Sequence, residues 1–256
     1  MGASKFWIGT SGWSYYHWRG RFYPQDLPSW QWFHFYIDHF RTVELNASFY
    51  RQPQKRTWQG WQRSAPAGFR FAVKANRFIT HIKRLKECRD PLQTFLEGAS
   101  LLGDKLGPIL YQLPPSFHCG ADNLQRLGEF LPLLPAHLQH VIEFRHASWF
   151  RDEVLALLRQ HNVAFCSYDM VDVECPLVAT APFAYLRFHG AEARYASNYS
   201  EEMLQEWAAR LGQLAPNLTS VYVYFNNDYN AYAVYNAKRL AEVLGETERS
   251  ADQSEE

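Results

Sequence analysis

Two glutamates, three cations and a histidine stand at comparable places in short apolar runs. Glu44 lies in TVELNASFY, Lys74 in FRFAVKAN, Glu143 and Arg145 in VIEFRH, and Arg187 and His189 in YLRFHG. Paired carboxylates act as general acid and base when their surroundings pull their pKa values apart. Arginine grips phosphate or carboxylate through parallel N–H bonds, while lysine supplies a compact charge. A histidine near its ordinary pKa moves protons at neutral pH. Glu143, Glu44 and His189 are therefore the catalytic candidates, and Lys74, Arg145 and Arg187 the anion binders. Each has a plainer reading too. The charged residues could simply pair with one another, and His189 could be a hydrogen-bonded structural residue.

Amides and aromatics extend the set. In VYVYFNND, Val221 to Asp228, five strand formers run into Asn226 and Asn227. A turn explains two amides, but a ligand to orient explains them as well. Asn46 follows Glu44 in the same way, and Gln112 ends PILYQ. Trp13, Tyr15, Trp18 and Tyr23 crowd the segment after the first run, and Tyr50 follows the second. Such rings stack on a base or sugar, or pack a long loop over the fold. Trp13 and Tyr50 join the binding candidates.

Metal chemistry is weighed and set aside. Glu44, Glu143, Asp169 and His189 are acceptable ligands for zinc or manganese. Only one of them is a histidine, and no H-x-x-x-H falls on a helical face. No metal or cofactor is assigned. The chain has no Gly-x-Ser-x-Gly elbow, and GTSG, Gly9 to Gly12, is not a phosphate loop.

These residues need elements to hold them. Eight apolar runs read as strands, near Phe6–Ser11, Thr42–Ala47, Phe69–Ala75, Pro108–Leu113, Val141–Arg145, Val163–Tyr168, Phe183–His189 and Val221–Phe225. Helical patterns such as WQWFHFYIDHF, PLQTFLEGASLL, NLQRLGEFLPLL, EVLALLRQ and EEMLQEWAARL lie between them. Ser200 before Glu201 and Glu202 is an N-cap followed by acids at the positive end of a helix dipole. Met170 to Pro182 carries two prolines and little helical period, so the helix after strand six is reduced or missing. Alternation of strands and helices implies parallel pairing. Eight repeats predict an α/β TIM-type (β/α)8 barrel, with an open doubly wound sheet as the alternative. Within each strand one face is apolar and the other turns polar toward its C-terminal end. In a barrel the polar faces point inward and meet at the C-terminal mouth. The inward charges counted this way are Lys74, Arg145 and Arg187 against Glu44, Glu143 and Asp169.

The motifs also carry a resemblance. IGTSGWSYYHWRGRFYP, TVELNASFYRQP, FRFAVKANRFITH, KLGPILYQLPPSF, VIEFRHASW, YLRFHG and YVYFNND stand in order over roughly residues 6 to 244. The chain resembles the domain of unknown function 72 family, also called YecE-like. The resemblance implies a TIM-type barrel and leaves the activity open. The segment CSYDMVDVECPL, Cys166 to Leu177, follows the family pattern least.

Composition narrows the partners. The 256 residues carry 26 Lys plus Arg and 26 Asp plus Glu, so the net charge is zero. A global pull toward nucleic acid or membrane is not expected. The four cysteines show no C-x-x-C spacing, which fits reduced thiols and a cytoplasmic protein. No signal peptide or membrane-spanning run is evident. One domain over residues 1–244 is expected, followed by a disordered acidic tail at 245–256. The expected function is acid–base hydrolysis of an anionic substrate at the mouth: a nucleotide, nucleic-acid end or sugar phosphate. The alternatives are a metal-dependent phosphodiesterase resembling endonuclease IV and a non-catalytic anion-binding protein. An open mouth would screen Glu143, so that Glu143→Gln costs little stability.

Overall fold

Eight strands and eight helices follow one another along the chain in a computed structural model that describes residues 5–190 and 197–246. The strands are β1 (Phe6–Thr10), β2 (Thr42–Leu45), β3 (Arg70–Lys74), β4 (Leu106–Gln112), β5 (His140–Glu143), β6 (Ala164–Asp169), β7 (Phe183–Phe188) and β8 (Ser220–Phe225). All neighbours pair in parallel, in the order β1-β8-β7-β6-β5-β4-β3-β2. A parallel bridge between Ser11 and Glu44 joins the two ends of this order and closes the ring. At that seam a Cβ on Gly9 would stand 2.4 Å from the Thr42 carbonyl oxygen. A residue without Cβ is what lets β1 come this close to β2.

The helices are α1 (Trp32–Ile37), α2 (Ala47–Tyr50), α3 (Lys55–Ser64), α4 (Arg89–Ala99), α5 (Ala121–Phe130), α6 (Asp152–Gln160), α7 (Glu201–Leu214) and α8 (Tyr232–Val243). No helix separates β6 from β7, as the prolines of that connection predict. Ser200 caps α7 by accepting from the Met203 N–H. Of the expected tail, all but residues 245 and 246 lies outside the described residues.

Strand alternation divides the core in two. Val43, Phe71, Val73, Ile109, Ile142, Phe165, Leu186 and Val223 belong to the large cluster under the helices. Ala72, Leu110, Val141, Ala164, Cys166, Tyr185 and Tyr224 form a separate cluster inside the barrel. Parallel strands buried on both faces need apolar residues on each. Polar groups are then left to the strand ends. The division corrects one expectation. On β6 the inward residues are Cys166 and Tyr168, because Phe165 packs outward. Asp169 shares the outward parity of Phe165 and drops out of the interior count.

The long segment after β1 is mostly packing. Trp18 and Tyr23 are buried, and Tyr23 stacks on Trp32 with ring centres 4.9 Å apart. Trp18 donates its indole N–H to the Asp228 carbonyl, which docks this segment on the one after β8.

Candidate functional site

Arg187 is the hub of the mouth. It is the fifth residue of β7, and alternation from Tyr185 aims it inward. One terminal nitrogen donates to Glu143 Oε2 at 2.9 Å, the other to Glu44 Oε1 at 2.8 Å. Glu44 also accepts from Ser11 Oγ and, at 2.6 Å, from the Tyr185 hydroxyl. Asn46 donates to Ser11 Oγ at 2.7 Å, so its amide braces the same carboxylate indirectly. Burial opposes the charge on Arg187. The two carboxylates outweigh it and hold the guanidinium pKa well above its ordinary range.

The second arginine serves one carboxylate. Arg145 Nε faces Glu143 Oε1 as an ion pair, and its plane lies over the Tyr168 ring, 5.0 Å from the centre. Its terminal nitrogens reach Met170 Sδ at 3.1 Å and His189 Nε2 at 2.8 Å. His189 Nε2 also lies 3.5 Å from Arg187. Facing guanidinium donors, Nε2 accepts, so the ring hydrogen sits on Nδ1. Nδ1 contacts the Asn226 side-chain amide at 3.1 Å, whose oxygen must then be the atom turned toward it. Burial would raise the Glu143 pKa. Arg145, Arg187 and Lys74 outweigh burial and hold it down at about 2.

Lys74 ends β3 on the inward face. Its ammonium lies 4.1 Å from the centre of the Phe49 ring. Burial pushes its pKa down to about 8, helped by Arg187 and Arg145 and only partly opposed by Glu143 and Glu44. Gln112 pairs in register with Glu143, but its amide donates to the Leu113 carbonyl.

The sequence candidates therefore divide. Glu44, Lys74, Glu143, Arg145, Arg187, His189, Asn226 and Asn46 come together, and Gln112 stands beside them. Asn227 is turned away: it is fully buried and donates to Ser197 and Asn236, tying the β7–α7 segment to α8. Trp13 packs on Phe33 of α1 and Trp61 of α3, away from the charges. Tyr50 is 73 % exposed, beside Phe49 at the end of α2. Sequence reasoning missed Ser11, Tyr185, Cys166, Tyr168 and Phe49. Alternation two residues before Arg187 points to Tyr185, and two residues after Gly9 to Ser11. Nothing in the sequence marks Phe49. Cys166 lies 3.7 Å from Glu143 Oε2, and burial with that carboxylate pushes its thiol pKa well up.

Burial corrects the expectation of a water-screened pair. Glu44 and Glu143 are 0 % exposed and Arg187 1 %. The carboxylates form the sealed floor of the mouth, while Lys74 stays partly open to it. With Asp169 outside, three cations face two carboxylates among the described residues, one positive charge in excess. Among the described residues, no three His, Cys, Asp or Glu side chains are grouped to hold a metal ion. No helix there is long and apolar enough to cross a membrane. A cavity of about 500 Å³ lies at the opposite end of the barrel, lined by Trp7, Phe40, Arg41, Gly68 and Lys238. In barrels of this type the N-terminal face serves stability rather than chemistry.

Comparison with known proteins agrees with this fold. A family model described as "Protein of unknown function DUF72" matches residues 7–256. The UPF0759 protein YunF of Bacillus subtilis is 27% identical, over 93% of this chain and 94% of its own length. The UPF0759 protein YecE of Escherichia coli K12 is 33% identical over 45% of this chain and 42% of its own. A DUF72 family crystal structure from Thermotoga maritima superposes with a TM-score of 0.87 at 32% identity, covering 94% of this chain and 100% of that one. Another from Enterococcus faecalis gives 0.81 at 21% identity, over 94% and 95%, a likeness of fold alone.

Proposed function

The chain belongs to the DUF72 family, whose description assigns no activity, and we propose that its mouth is an enzyme site for a small anionic molecule. The observation that carries this reading is the uncompensated charge. Arg187 and Arg145 use up both carboxylates, and among the described residues Lys74 is left with no counter-ion at a partly open position. A bound phosphate or carboxylate supplies the missing negative charge, and charge-assisted hydrogen bonds give it affinity. Phosphate-bearing nucleotides and sugar phosphates fit the class. The balanced net charge favours such small ligands over extended nucleic acid.

The glutamate pair restricts what acid–base chemistry the mouth can do. A carboxyl held at about 2 gives up no proton at neutral pH, so Glu143 is left as a base or a fixed counter-charge. The four free thiols support a cytoplasmic setting.

Calorimetric titration with inorganic phosphate at low ionic strength tests the anion reading. We expect one phosphate per chain, weakening as salt rises. Lys74→Met should weaken it about tenfold or more, the worth of one charge-assisted bond. Failure of the wild type to bind phosphate, pyrophosphate or sugar phosphates overturns the proposal.

A further inference from the structure

Lys74 and Lys105 both end or precede a barrel strand, and they are treated differently. The ammonium of Lys105 donates to the Gln62 and Ala65 backbone carbonyls. That of Lys74 has no hydrogen-bond or ion-pair partner among the described residues and rests against the Phe49 ring. Both nearby carboxylates are already engaged, Glu44 by Arg187, Ser11 and Tyr185, and Glu143 by Arg187 and Arg145. Arginine keeps its proton in proteins. A buried group of three cations and two carboxylates therefore sheds its excess charge at the lysine. The resulting amine is at a strand's C-terminal end, faces the mouth and is not tied up by a hydrogen bond.

We infer that Lys74 is a nucleophilic amine that forms an imine with an aldehyde or ketone carrying a phosphate or carboxylate group. The anionic half of that substrate rests on the reading of the mouth given above. The amine half stands on Lys74 itself. The neutral amine's lone pair attacks the carbonyl carbon, and the C=O π pair moves to oxygen, which takes a proton. The amine nitrogen then passes its extra proton to the hydroxyl, which leaves as water as the nitrogen lone pair forms the C=N bond, and the resulting iminium gives up its remaining proton to return the one the oxygen first took. Amine plus carbonyl becomes imine plus water, with no net change of oxidation state. The depressed pKa of about 8 leaves roughly a tenth of the amine neutral at pH 7, against under about one in a thousand for an ordinary lysine. Desolvation beside cationic groups is a recognised way to make such a lysine.

Pyridoxal 5′-phosphate is the probe, being an aldehyde and a phosphate in one molecule. The full chain is incubated with it, reduced with borohydride to fix any imine, and mapped by peptide mass spectrometry. Lys74 should be labelled at least tenfold faster than the remaining lysines, increasingly so as pH rises through about 8, and inorganic phosphate should slow the labelling. Lys74→Arg should lose that label. Pyridoxal without the phosphate should label Lys74 more slowly. Phosphate binding together with label spread over surface lysines and none at Lys74 overturns the imine and spares the anion reading. Equal labelling by pyridoxal and pyridoxal 5′-phosphate, indifferent to phosphate, upholds the amine and overturns the anionic half.

Discussion

At the scale of the residue, Glu143 and Lys74 hold opposite places in one electrostatic account. Glu143 is fully buried and its oxygens are shared by two guanidiniums. Removing one partner of a buried pair strands the others, so Glu143→Gln should lower the unfolding free energy by about 3–5 kcal/mol in denaturant titration. Its folded pKa of about 2 lies below the unfolded value near 4.5. The stability it supplies is complete above pH 4.5 and is lost as pH falls from there toward 2. Wild type should lose stability across that window more steeply than Glu143→Gln; parallel curves would mean the carboxylate is not held by the arginines. Lys74 has the opposite sign. Its folded pKa of about 8 lies below the ordinary 10.5, so its charge is a cost that is full below pH 8 and relieved between 8 and 10.5. Lys74→Met should therefore raise the melting temperature at pH 7, by the equivalent of about 1–3 kcal/mol. A lower melting temperature would mean that Lys74 is part of the scaffold. A side chain that costs stability where it stands suits a functional residue better than a structural one.

At the scale of the element, each strand end does a different job, set by its neighbours. β7 contributes Arg187 and His189, β5 contributes Glu143 and Arg145, and the β1–β2 seam fixes Ser11 against Glu44. Gly9 controls that seam. Its missing Cβ would meet the Thr42 backbone oxygen at 2.4 Å, and backbone cannot move aside as a side-chain tip can. Gly9→Ala should cost about 1–3 kcal/mol, as overpacked sites do, and should loosen Ser11 from Glu44. Amide exchange would show it, as faster exchange in β1 and β2 than in β5 or β6. Uniform protection would mean that the seam absorbs the methyl group. Asn227 belongs to this scale too. It reads as a site residue in sequence because it follows Asn226. In the fold it is a tie between Ser197 and α8, since successive side chains leave a strand end in opposite directions.

For the whole molecule, the ion network works as a clasp across the barrel. Arg187 joins β7 to β5 through Glu143 and to β2 through Glu44, strands that are not neighbours of β7 in the sheet. The β6–β7 crossover has no helix to cover it, and Cys175 lies half-buried there with its thiol pKa pushed up to about 12 by burial. A thiol held protonated reacts slowly. All four cysteines should react as free thiols after denaturation, while Cys166 and Cys175 should resist alkylation in the native protein. A shortfall of two thiols would point to a disulfide and speak against a reducing compartment.

The barrel, the helix-free β6–β7 crossover, the Ser200 cap and most of the charged cluster were legible in the chain. They follow from local pattern: a period of two assigns a face, apolar runs assign strands, prolines break a helix, a serine before two glutamates caps one, and eight strand–helix repeats favour a barrel over an open sheet. Alternation also carried Glu44, Lys74, Glu143, Arg187 and His189 to the right end. It failed at β6, where Phe165 and Cys166 are both apolar and local pattern could not say which faced inward. Tertiary structure decided what the cluster can do. Which carboxylate meets which guanidinium depends on strand register and barrel tilt, not on spacing along the chain. Only that pairing reveals two saturated glutamates, an arginine shared between them and a lysine with no counter-ion among the described residues. Burial was equally hidden, because the loops that seal the mouth's floor are placed by contacts far apart in sequence, such as Trp18 with Asp228. The charged residues of the cluster could be named from the chain alone, but their charge states depend on the company the fold makes them keep.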